Sequence, residues 1–80
     1  MEVSFVLIKT KPGKECDVYN IINKEPEIVE FNQLFGEYDL IVKIETETVE
    51  QISQIVVEKI RQVPGIIDTK TLPGIKWESQ

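Results

Sequence analysis

Two stretches of this sequence break in the same way. Pro26-Glu27-Ile28-Val29-Glu30 follows one amphipathic run and Pro64-Gly65-Ile66-Ile67-Asp68 follows another, so the chain reads as two halves, each a strand, a helix and a returning strand. Proline ends a helix because it lacks the amide hydrogen and its ring clashes with the preceding turn. In the first half, Val3 to Lys9 is β-branched and aromatic and predicts a strand closed by Pro12-Gly13. Lys14 to Lys24 sets Val18, Ile21 and Ile22 at helical spacing. Ile28 to Phe35 predicts a second strand with Val29, Phe31 and Phe35 on one face, and Gly36-Glu37 turns it into a third, Tyr38 to Ile44. Thr48-Val49-Glu50-Gln51 fits a capping box, and Ile52, Ile55, Val56, Ile60 and Val63 then recur every three to five residues. Ile66 to Leu72 supplies the last strand.

The order βαββαβ is the ferredoxin-like split βαβ plan, an α+β sandwich. Right-handed crossovers place both helices on one side of an antiparallel sheet and leave the other side bare. Alternation along the first strand puts Val3, Phe5 and Leu7 on one face and Val6 and Ile8 on the other, all of them apolar. The expectation is that the bare face carries Val6 and Ile8, together with Ile41, and that two copies pack sheet against sheet through it. The alternative is that these are scattered surface aliphatics.

Composition bounds the function. Eighty residues suit one domain over 1–80, with a core at 3–72 and an extension at 73–80. A chain this small buries only roughly 60% of its unfolded surface, so association would help it. It has no His and one cysteine, Cys16, which excludes an internal disulfide and removes the commonest zinc ligand and general base. Metal binding, cofactor chemistry and acid–base catalysis are therefore not expected. No apolar run reaches the roughly 20 residues of a membrane span, and Met1-Glu2-Val3-Ser4 lacks a basic signal-peptide start, which points to the cytoplasm. With 14 acidic residues against 9 basic ones, the net charge of -5 repels a phosphate backbone, so direct nucleic-acid binding is disfavoured.

Four short pieces, Gly36-Glu37-Tyr38-Asp39-Leu40, Glu58-Lys59-Ile60, Val63-Pro64-Gly65-Ile66 and Asp68-Thr69-Lys70-Thr71-Leu72, together resemble the effector-binding (RAM) domain of the Lrp/AsnC family. Each piece is common, but their order and spacing are specific, and the likeness runs from Val3 to Leu72. Members of that family carry a helix-turn-helix ahead of this domain. Here the first strand follows Met1 almost at once, so no DNA-binding unit is expected before it.

The resemblance implies a homodimer whose sheets pack face to face, assembly into a ring such as an octamer or decamer, and an amino-acid effector bound between dimers. It places the site at the turn between the second and third strands. Gly36 would let backbone amides approach the effector carboxylate, Asp39 would meet its ammonium group, and Thr69 and Thr71 would supply hydroxyls. Leu34 and Tyr38 would line the pocket. Each residue also has a plainer role. Asp39 can bond local turn amides, Gly36 can serve a positive φ, and Thr69 and Thr71 suit any strand. Leu34, Phe35 and Ile41 can be pocket wall, core or dimer contact, and Cys16 stands without a partner base. Leucine, isoleucine, methionine, lysine and glutamine all stay open as effectors.

Three functions compete. A binding module would modulate transcription in trans, through effector-dependent assembly or association with Lrp-type regulators. A ligand-free adaptor would use the same sheet face. A small dimeric enzyme needs a nucleophile, base or phosphate loop that the sequence does not offer.

Overall fold

The computed structural model describes residues 1–73. Trp77 and the rest of the C-terminal extension beyond Pro73 lie outside the described residues, as does the expectation that they cover part of the sheet. The elements are β1 (Glu2–Thr10), α1 (Glu15–Ile22), β2 (Ile28–Gln33), β3 (Leu40–Thr46), α2 (Val49–Ile55) with a π-helical continuation (Val56–Ile60), and β4 (Ile66–Pro73). The four strands form one sheet in the order β2-β3-β1-β4, each neighbouring pair antiparallel. This is the ferredoxin-like arrangement expected from the sequence.

Local chemistry explains the element ends. The turn at Pro12-Gly13 takes Gly13 to φ +83° and delivers the chain into α1. At α2, Thr48 Oγ1 accepts the Gln51 amide at 3.2 Å, and Gln51 Oε1 accepts the Thr48 amide at 3.1 Å and the Glu47 amide at 3.0 Å. The expected capping box is complete, and it occupies orphan donors at the helix start. Gly65, at φ +101°, lies so close to α1 that a Cβ there would meet Lys14 Cβ at 3.1 Å. Its carbonyl accepts the Lys11 amide at 2.8 Å, which ties the end of the second helical segment to the start of the first.

The helix that the sequence predicts as one α run to Val63 changes pitch at Val56. Arg61 N–H bonds the Val56 carbonyl five residues back, at 2.9 Å. A π turn is wider than an α turn, and here it keeps both Val56 and Ile60 in the core alongside Ile52 and Ile55. In α1, Val18 and Ile22 are buried, while Ile21 of the expected apolar trio is exposed. No helix among the described residues is long and apolar enough to cross a membrane.

The core corrects the expected face assignment. Val6 and Ile8 are 0% exposed and form one cluster with Leu40, Val42 and Ile44 of β3 and the buried side of both helices. Directly paired residues point to the same side of a sheet. Val6 opposes Val42 and Ile8 opposes Leu40, so all of them face the helices. The bare face instead carries Val3, Phe5 and Leu7, each half-buried, with Ile41 opposite Leu7 and Leu72 opposite Phe5. Ile41 is thus on the expected side. At one border of this apolar strip, Lys43 Nζ lies 3.5 Å from both Glu30 and Glu45. Glu45 is therefore part of β3, not of the solvated loop expected for it, while Glu47 and Glu50 are exposed.

The second strand also differs. A register shift between Ile28 and Glu30 leaves Val29 exposed at a bulge, and the strand stops at Gln33. Val29, Phe31 and Phe35 therefore share no face: Phe31 opposes Val42 on the helix side, and Phe35 lies beyond the strand.

Candidate functional site

The loop at residues 34–39 is closed by the Leu34 amide donating to the Asp39 carbonyl at 2.9 Å. Gly36 takes φ +125° at its tip, with nothing within 4 Å of where a Cβ would stand. That backbone angle is one that glycine adopts without strain, so the turn itself accounts for the residue.

Asp39 is held against β1. Its amide donates to the Ile8 carbonyl at 2.9 Å, and its Oδ2 accepts from the Thr10 amide at 2.8 Å and the Thr10 hydroxyl at 3.3 Å. Thr10 sits where the register between β1 and β4 shifts, and it is buried. A buried amide without a partner is costly, and the carboxylate supplies one. The plain role expected for Asp39, bonding amides of its own turn, is thus replaced by a bond to another strand.

Tyr38 is half-buried beside the same end of the sheet. Burial, with the carboxylates of Asp68 and Glu37 adding to it, raises its phenol above the ordinary value, so the hydroxyl stays protonated. Thr69 opposes Ile8 and Thr71 opposes Val6, so both lie on the helix side of β4. The Thr69 amide bonds Asp68 Oδ1 at 2.9 Å. Thr69 is half-buried and Thr71 exposed, and two residues of strand set Thr71 about 7 Å farther from the loop.

The structure therefore gathers Tyr38, Asp39 and Thr69 around the end of β1, with Leu34 at the loop base, Gly36 at its tip and Thr71 to one side. Sequence reasoning missed Thr10, which holds Asp39, and Arg61, which lines a small hollow of about 150 Å³ with Ile66, Ile67, Asp68 and Thr69. A polar β-branched residue just before Pro12 was the available signal for Thr10. Arg61 gave none, since helix ends commonly carry cations. Among the described residues, no group of three or more His, Cys, Asp or Glu is placed to hold a metal.

Two larger hollows lie elsewhere. One of about 430 Å³, at the opposite end of β1, is rimmed by Glu27, Glu45, Glu47 and Glu58. Its one lysine, Lys59, is engaged by Glu25 at 2.9 Å, and that hydrogen bond raises the ammonium pKa. The other, about 460 Å³, runs between α1 and β2 past Cys16, Tyr19, Phe31 and Leu40.

A family model described as the Lrp/AsnC ligand binding domain matches residues 3–76. The HTH-type transcriptional regulator FL11 of Pyrococcus horikoshii is 36% identical over 78 residues, covering 98% of this chain and 51% of its own length. The chain thus spans about half the length of the curated relatives it matches. The crystal structure of FFRP-DM1 has a TM-score of 0.89 at 43% identity, covering 94% of this chain and 100% of that one. The transcriptional regulator NMB0573 of Neisseria meningitidis, solved as a complex with L-Met, shares the fold with a TM-score of 0.81 at 18% identity, covering 99% of this chain and 53% of its own. Since the family match runs through every strand and helix described above, the chain belongs to the Lrp/AsnC family, as a ligand-binding domain of its kind.

Proposed function

We propose that this domain is an amino-acid-responsive assembly module. It dimerises through the bare sheet face, builds a higher oligomer such as an octamer or decamer, and influences transcription through that assembly or through association with Lrp-type regulators. The observation that carries the reading is the uncovered strip of Val3, Phe5, Leu7, Ile41 and Leu72, apolar at its centre and charged along one border. Contiguous apolar surface with a polar rim is the usual build of a protein contact.

The effector site is the end of the sheet around Leu34, Gly36, Tyr38, Asp39, Thr69 and Thr71. Asp39 keeps a second carboxylate oxygen beyond its bonds to Thr10, and an ammonium group suits it. That NMB0573 was solved with L-Met supports an amino acid as the ligand class. A second reading, a ligand-free adaptor, is favoured by the work Asp39 already does for Thr10.

A thermal-shift screen of the purified chain against the twenty amino acids, with light scattering on each hit, separates the two. A ligand that binds the native state raises its apparent stability by mass action. A selective rise with one or a few amino acids is the expected result. A flat response at millimolar concentration assigns the domain to the adaptor reading.

A further inference from the structure

Phe35 is 107% exposed, its side chain fully in solvent at the tip of the loop that joins β2 to β3. A phenyl ring left in water forgoes roughly 1.5–3 kcal/mol of burial, so the position calls for an explanation. On the same molecule, the groove between α1 and β2 is floored by Tyr19 and Phe31. Their ring centroids are 4.9 Å apart at 71°, an edge-to-face pair with Tyr19 still 42% exposed. Leu40 and Cys16 extend this apolar floor, and Gln33 borders it. The hollow measures about 460 Å³, ample for one more ring.

We infer that Phe35 is a knob that seats in the α1–β2 groove of a second copy of this chain, forming a reciprocal contact separate from the bare sheet face. The geometry favours reciprocity. Gln33 borders the groove and Phe35 follows two residues later, so knob and hole adjoin at one end of an edge strand. When one copy inserts its ring, the partner's ring is brought to the first copy's groove, which is the self-complementary condition of a two-fold contact. A third aromatic beside Tyr19 and Phe31 adds offset or edge-to-face contacts to simple burial. Each phenyl covers roughly 150–250 Å², so two give a contact well under the usual 1,200 Å² of a stable complex. Such a contact is reversible, the property a regulated assembly needs. With the bare-face dimer proposed above, on which only the ring-building consequence rests, two different two-fold contacts per chain link dimers into a closed ring.

Sedimentation of the full chain without added amino acid tests this. Wild type should run heavier than a dimer, and Phe35→Ser, a change at an exposed loop tip, should lose at least half of that mass while keeping its circular dichroism. Replacing Phe35 by benzoylphenylalanine retains the aromatic knob. Illuminating a mixture of isotopically light and heavy chains should then cross-link light to heavy at the peptide carrying Cys16 and Tyr19. Unchanged mass in Phe35→Ser, a wild type that is no larger than a dimer, or cross-links confined to one chain would each overturn the inference. Failure of the bare-face dimer is read separately, from Leu7→Lys: retention of wild-type mass by that variant refutes the sheet contact and leaves the Phe35 result standing.

Discussion

The carboxylate of Asp39 bonds a backbone amide 29 residues away in sequence, and this changes what a substitution there means. Asp39→Ala removes a possible ammonium partner and also strands the buried Thr10 amide, so it should lower stability by about 1–3 kcal/mol in urea unfolding. Asp39→Asn keeps an oxygen to accept from Thr10 and should cost under about 1 kcal/mol while still deleting the charge. Asn is therefore the informative variant. Loss of an amino-acid response in Asp39→Asn with near-normal stability assigns the charge to the ligand, and a retained response assigns Asp39 to Thr10 alone. This bond was not legible in the sequence, because it depends on β3 entering the sheet beside the end of β1. Gly36 was legible, since Gly-Glu between two strand patterns demands a turn and the turn demands a positive φ.

Elements whose ends are set by neighbouring residues could be read directly. The Thr48–Gln51 box is the clearest, all its partners lying within four residues. Thr48→Ala should reduce stability by roughly 0.5–2 kcal/mol, measured as a shift of the urea midpoint at unchanged slope. The π turn at Val56–Ile60 was invisible, because apolar residues at three- and four-residue spacing fit an α-helix just as well. The phase of β1 was the larger miss. Apolar side chains on both of its faces give no phase, and Ser4, only 4% exposed, puts a polar residue on the core side. The neighbouring strand held the answer: Leu40, Val42 and Ile44 alternate with Ile41, Lys43 and Glu45, and antiparallel pairing transfers that phase to β1.

For the whole molecule, the two faces of β1 predict opposite outcomes from the same chemical change. Leu7→Lys places a charge on the bare face and should break the sheet contact with the monomer still folded, as read by sedimentation beside circular dichroism. Val6→Lys buries an unpaired ammonium in the core and should unfold the chain, since such a charge cannot be hydrated or paired there. Equal effects of the two would contradict the face assignment. The strand order and the helix-covered side follow from pattern and topology, whereas the site at the end of β1 requires three strands to meet. Because β1 runs through the middle of the sheet, bonded to β3 on one flank and β4 on the other, its alternate residues answer to different selective pressures. Positions 6 and 8 are held by the fold of the individual chain. Positions 3, 5 and 7 are free to drift with the choice of companion, so sister copies of this domain can acquire distinct pairing preferences through a few substitutions in one strand without risking the architecture that carries them.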